Sequence, residues 1–337
     1  MRKKVIASMP KPYSIAPFVG GGRAGFLVAA EKAGPCVWFD LDGNALETVN
    51  EGPGGVMTMA QLPGSDDSFM MTQRFYSPND SKEASLVIAR RAPGGAWDFE
   101  TFAALPHVHR FGFVQGRDGA WWLVAATLCS GRDFKDDWSH PGKVYACRWP
   151  AAGDALAPVL EGLTRNHGYC RTQLEGEECV VVASDSGVHR LVPPAGPGEA
   201  WRIDPLLDVP ASDVCFVDFE GNGRPHMVVF RPFHGDKLEV YAGAGGAWKR
   251  VWAPPEPMPF LHAIWPGRLG GRPVAFVGHR EGARRLMALT MENGACALTA
   301  IDEGRGPANA FSYQHGGVTR LVATNRETDE TAMYDFA

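Results

Sequence analysis

Apolar and polar positions alternate along most of the chain in short runs of four to eight residues, and Gly-containing turns separate the runs; this is the pattern of β-strands. Three segments share one signature: GGAWDFETF at 94–102, GEAWRIDPL at 198–206 and GGAWKRVWA at 245–253. In each, a glycine turn leads into Ala-Trp and an alternating strand. The strands that follow align as VHRFGFVQGRDG (108–119), NHGYCRTQLEGE (166–177), ASDVCFVDFEGNG (211–223) and LHAIWPGRLGG (261–271), each succeeded by a second apolar strand. Fainter copies are YSIAPFVGGGRAGFLVAA, VMTMAQLPGSDDSFMMTQ and NAFSYQHGGVTRLVAT.

Seven units spaced by about 48 residues predict an all-β, single-domain, seven-bladed β-propeller over 1–337, with six or eight blades as alternatives. The blades are expected at 14–52, 53–106, 107–164, 165–208, 209–256, 257–304 and 305–337. The last unit runs out after about three strands while Lys4–Ser8 supplies an orphan strand, so the N-terminus is expected to complete the last blade. Trp97, Trp201 and Trp248 then become packing residues of outer strands.

Composition narrows the partners. The 337 residues carry a formal charge of −5 with no basic stripe, which argues against nucleic acid and anionic membrane. Proline interrupts MRKKVIASMPKPYSIAPF before a signal-peptide core forms, and no run is long enough to span a bilayer, so a soluble cytoplasmic protein is expected. Seven cysteines without a CxxC pair, in surroundings such as VYAC, read as reduced, buried thiols.

The turn in VDFEGNGRPHMVV, with Asp218, Glu220 and Asn222 in its loop, resembles the D-x-D-G-D-G-like turn of FG-GAP/VCBS propellers. That resemblance implies a propeller whose turn can hold calcium, although QGRDGA, LEGEE and GRLGGR lack the ligands; a plain hairpin turn is the reading preferred here, as it is for Asp40-Leu41-Asp42-Gly43-Asn44. The blade pattern with histidine-bearing strand starts is also similar to the propeller of aldos-2-ulose dehydratases. That likeness implies a metal-assisted lyase on keto sugars.

Candidate chemistry gathers at two registers that a propeller brings to one face. At the start of the first strand of a blade stand His109, His167 and His262, with Ser212 and Asp213 in the fifth blade. An imidazole recurring where a core would be apolar needs a hydrogen-bond partner or a ligand, and these three are expected to hold a divalent metal, zinc, manganese or iron. His107, two residues before His109 in LPHVHRFGF, belongs to the connecting loop, as a second ligand or an exposed side chain. After the second strand stand Lys32, Arg74, Thr127, Asp185, Arg231 with His234, His279 with Arg280, and Asn325 with Arg326. Arginines there favour an anionic or oxygen-rich ligand.

The expected activity is a metal-assisted lyase or isomerase on a sugar, keto sugar or sugar acid. The metal would polarise a carbonyl, His234 or His279 would remove the α-proton, and Arg231 and Arg280 would orient the substrate. Arg74, Asp185, Asp213 and Arg326 are expected to bind substrate, with Trp138 and His140 reaching over it from the long segment SGRDFKDDWSHPGK; RFYSPNDSKEA in blade two is a similar insertion. A non-catalytic propeller binding a glycan or protein partner is the alternative. No G-x-S-x-G elbow supports a serine hydrolase, whereas a carboxylate pair such as Asp185 and Asp213 leaves glycoside hydrolysis open.

Overall fold

A computed structural model describes residues 1–196, 198–244 and 247–336. Pro197, Ala337 and the glycines at 245 and 246 that open the third Ala-Trp repeat lie outside the described residues. The described residues form seven four-stranded antiparallel sheets, and the fold is an all-β, seven-bladed β-propeller. Contacts divide the chain into two compact units, Ser14–Pro210 and Met1–Tyr13 with Ala211–Ala337.

Ser14–Pro210 holds four blades. The first strand of blade one, Pro12–Gly20, begins just ahead of this unit, and the first strands of blades two to four are Met59–Gln61, Val108–Gln115 and Gly168–Leu174. Second strands such as Glu177–Ser184 are almost wholly buried, because both their faces pack against apolar side chains. Fourth strands such as Trp97–Ala104 carry charges outward. The Ala-Trp tryptophans pack as expected: Trp97 meets Phe18 and Phe69, and Trp201 meets Trp122 edge-on.

The other unit holds three blades, with first strands Asp213–Val217, Leu261–Leu269 and Pro307–His315. Trp248 packs against Phe216. Blade seven takes its fourth strand from the N-terminus: Arg2–Ser8 pairs antiparallel with Glu330–Phe336, from Arg2 opposite Asp335 to Ser8 opposite Glu330. This strand covers an edge that would otherwise expose a row of backbone donors and acceptors.

The calcium-like turn is closed by its own backbone. Asp218 Oδ1 accepts the Asn222 N–H and Oδ2 the Gly223 N–H, which makes an Asx-type hairpin. Asp40 closes the blade-one turn in the same way, on the N–H groups of Asp42 and Asn44. None of the seven cysteines forms a disulfide, and among the described residues no helix is long and apolar enough to cross a membrane.

Candidate functional site

One local device recurs at the start of the first strands. Lys11, His107, Arg165 and Phe260 have φ of 46°, 62°, 52° and 60°, in the left-handed region that L-residues rarely occupy. Two positions on stand Tyr13, His109, His167 and His262, all buried. The strain is about 1 kcal/mol or more per residue, and a fold that repeats it is holding the side chain that follows in a set direction. His109 and His262 also occupy β-bulges, because pairing skips from Val108 to Arg110 and from Leu261 to Ala263. His167 stands just ahead of its strand, with its N–H on the Ala183 carbonyl, as Ser212 does on Phe230.

Within Ser14–Pro210 the rings of His109 and His167 lie 4.6 Å apart, tilted by 36°, and Phe75 meets His109 edge-on at 5.0 Å. The Thr58 hydroxyl donates to the His109 carbonyl and Asn166 Nδ2 to the Thr127 carbonyl, which fixes the backbone around both imidazoles. His107 turns away to a structural task. Its Nδ1 is 2.8 Å from Ser81 Oγ and its N–H donates to the Ser81 carbonyl, so it staples the blade-two insertion to the start of blade three.

In the blade-three insertion, Cys129–Pro141, two cations approach the Trp138 ring: the Arg132 guanidinium is 4.0 Å and that of Arg165 5.0 Å from the ring centre. Asp185, expected as a substrate contact, pairs with Arg165 at 3.0 Å. His140 Nε2 lies 3.6 Å from Asp133 and 3.7 Å from Asp137. Asp137 accepts hydrogen bonds from Ser139 Oγ and from the N–H groups of Ser139 and Asp133, which hold its carboxyl down at about 2. Asp133, Asp137 and His140 bring three ligand atoms within 4.8 Å of one another, a spacing that one cation can bridge.

Within the other unit His262 has a defined tautomer. Its Nδ1 is 2.6 Å from the Ala308 carbonyl, which only accepts, so Nδ1 carries the proton. Nε2 then offers its lone pair to the Tyr13 hydroxyl at 3.1 Å. His234 follows the second strand of blade five with φ of 49°, stacked on Phe233 at 4.0 Å and beside Phe260 and His262 at 4.5 and 5.4 Å. Its N–H donates to Ser212 Oγ, and Asp213 caps the N–H of Val214.

Several expected site residues are committed elsewhere. His279 Nδ1–H donates to the Glu281 carbonyl and Nε2 accepts the Arg285 N–H, so neither nitrogen is left to abstract a proton. Arg231 is held by Glu239 at 2.8 Å. Arg280 donates twice to Glu327, over the Phe260 ring, and Arg326 joins the same carboxylate. Arg74 forms an exposed pair with Glu83. The sequence favours these residues because they follow a buried strand, yet the same position suits an ion pair that ties one blade loop to the next strand. Tyr13, Arg132 and Arg165 were not anticipated; Tyr13 heads a blade copy in the register of His109 but is not a histidine, and the two arginines sit in loops without a repeating register.

Burial lowers the pKa of His107, helped by the charges of Arg132 and Lys82, and burial likewise lowers those of His189 and His279. In the unfolded chain these imidazoles titrate near their ordinary 6.5. The folded state thus binds fewer protons below that value, and stability present above it is lost as pH falls toward the folded pKa values. Urea unfolding at about pH 7.5 and about pH 5.5 is expected to show the loss, with a shallower dependence in His107→Gln. Equal stability at the two pH values would contradict this.

No family model and no curated protein matches the chain. Solved structures do. The β-propeller domain of Myceliophteria thermophila Cps50 (Swd1) is similar with a TM-score of 0.62 at 9% identity over 100% of both chains. A streptogramin B lyase reaches 0.55 at 12% identity over 98% of this chain and 96% of that one. A glucose dehydrogenase reaches 0.54 at 15% identity over 100% and 99%. At such identities the likeness concerns the fold, which two enzymes and a named propeller domain share.

Proposed function

We propose that the protein is a metal-assisted lyase or isomerase acting on a sugar, keto sugar or sugar acid, in keeping with the resemblance of its blades to aldos-2-ulose dehydratases. The observation that carries the reading is the repeated left-handed turn that sets Tyr13, His109, His167 and His262 at one register in four blades. Packing alone asks for apolar side chains there, whereas three of the four are imidazoles that must be satisfied.

The His109–His167 pair suits a divalent ion. Zn–N bonds of about 2.0–2.1 Å put the ring centres of two imidazoles on one ion about 5 Å apart, close to the 4.6 Å seen. Such an ion supplies Lewis-acid polarisation of a carbonyl. His262, expected as a third ligand, is read instead as a proton-transfer group, since Ala308 fixes its tautomer and Tyr13 hydrogen-bonds its basic nitrogen. His234, stacked among aromatic rings, remains a second acid–base candidate. His279 leaves the set, and Arg231 and Arg280 act as ties between loops and strands. The ion pairs of those two arginines favour a second reading, a non-catalytic propeller that binds a glycan.

Elemental analysis of freshly purified protein, with turnover of keto sugars and sugar acids, tests the first reading. The parent is expected to carry metal, and His109→Ala and His167→Ala to lose it while still folding. His262→Gln and Tyr13→Phe are expected to keep metal while His262→Gln loses roughly 10²–10⁴-fold in rate. Metal retained in both alanine variants, or a metal-free inert parent, would remove this reading in favour of the second.

A further inference from the structure

Arg132 is only 6% exposed, yet among the described residues no carboxylate pairs with it. Its guanidinium lies on the face of Trp138, and one N–H reaches the Lys135 carbonyl. Nε and Nη1 meet no acceptor. Of the carboxylates of the same insertion, Asp137 is engaged with Ser139, the Asp133 N–H and His140, Asp133, largely in solvent, lies beside His140, and Asp136 is exposed. Asp185 is taken by Arg165. A buried cation without an anion is among the costliest arrangements a protein interior can hold, and a ring face compensates it only in part. The positive field is felt nearby, where it helps to depress His107.

We propose that Arg132, with Trp138 as its platform and Arg165 on the same ring, is the subsite for the acidic group, carboxylate or phosphate, of a sugar acid or sugar phosphate. This rests on the reading above that the substrate is sugar-like, and it narrows that reading from sugars in general to acidic ones. A guanidinium stacked on an indole keeps its N–H groups in the ring-parallel plane, the geometry that grips a planar carboxylate or a phosphate edge. The Phe134–Asp136 stretch, whose Lys135 carbonyl meets the cation, is exposed at all three residues. Displacing the Lys135 carbonyl would exchange a neutral acceptor for an anionic one.

Titration calorimetry and thermal melting with D-galacturonate, D-glucose 6-phosphate, inorganic phosphate and neutral D-galactose test the proposal on the parent, Arg132→Met and His109→Ala. The acidic ligands are expected to bind and D-galactose not, with the stronger of galacturonate and glucose 6-phosphate telling carboxylate from phosphate. Arg132→Met should weaken that binding roughly 10- to 100-fold and melt no lower than the parent without ligand, because a buried unpaired charge has gone. Should Arg132→Met not fold, Arg132→Lys takes its place: weaker binding supports the subsite and unchanged binding overturns it. Equal binding of galactose and galacturonate, no anion binding, or an Arg132→Met variant that binds anions like the parent also overturns it. A parent that lacks metal but binds galacturonate through Arg132 would sink the metal reading alone; a metal-loaded parent blind to anions would sink the subsite alone.

Discussion

Deleting Arg2–Ser8 is expected to destabilise the protein by about 3–6 kcal/mol and to make it prone to association, on the basis of roughly 0.5–1 kcal/mol for each lost strand pairing. Six residue pairs join this strand to Glu330–Phe336. Lys3 adds bridges to Asp302 and Glu330 at 2.8 and 2.6 Å, both at least partly shielded from water. The strand itself buries little, and its Arg2 and Lys4 are exposed edge-strand charges that discourage further pairing. Its deletion thus harms less through lost apolar area than by uncovering Glu330–Phe336, a mostly buried strand with unpaired backbone on one side. Circular dichroism melting and sedimentation of the truncated chain check both effects, and a synthetic peptide of residues 1–9 added in trans should restore the melting temperature. A truncated protein that melts and sediments with the parent would show that the pairing contributes little.

The fold was legible because it is written in repeats. Alternation, Gly turns and Ala-Trp starts recur in each blade, and the three-strand last unit together with Lys4–Ser8 announced the closure. The histidine register was legible for the same reason, since His109 and His262 occupy the same bulge and His167 the matching strand start. What stayed hidden lies in pairings that no pattern encodes. Nothing local says that Arg231 will meet Glu239 or Arg280 meet Glu327, because each partner comes from another strand or loop. The tautomer of His262 depends on Ala308 and Tyr13, distant in the chain by design of the closure. His107 does belong to the connecting loop, but it is buried where an exposed side chain was one expectation, with a left-handed φ and its Nδ1 on Ser81.

Replacing Glu239 by alanine is expected to cost about 3–5 kcal/mol, the range for removing one partner of a buried charge cluster. Glu239 is 2% exposed and accepts from Arg231 at 2.8 Å, Arg250 at 2.8 Å and the Tyr241 hydroxyl at 2.5 Å. Burial alone would raise its pKa, but those three hydrogen bonds outweigh it and hold the carboxyl below its ordinary range. Its contribution is therefore present above the unfolded carboxylate pKa and disappears as pH falls through the lower folded value. Arg231 would be left partly buried beside an empty space, whereas Arg250, mostly in water, would lose little. Glu239→Gln, which keeps the shape and an acceptor oxygen, should lose roughly half as much, since hydrogen bonds to charged groups are worth about twice neutral ones. Urea unfolding of both variants at neutral pH and in mild acid provides the check. If alanine and glutamine proved equally mild, the cluster would be a solvated surface network, and Arg231 would be available to a ligand after all.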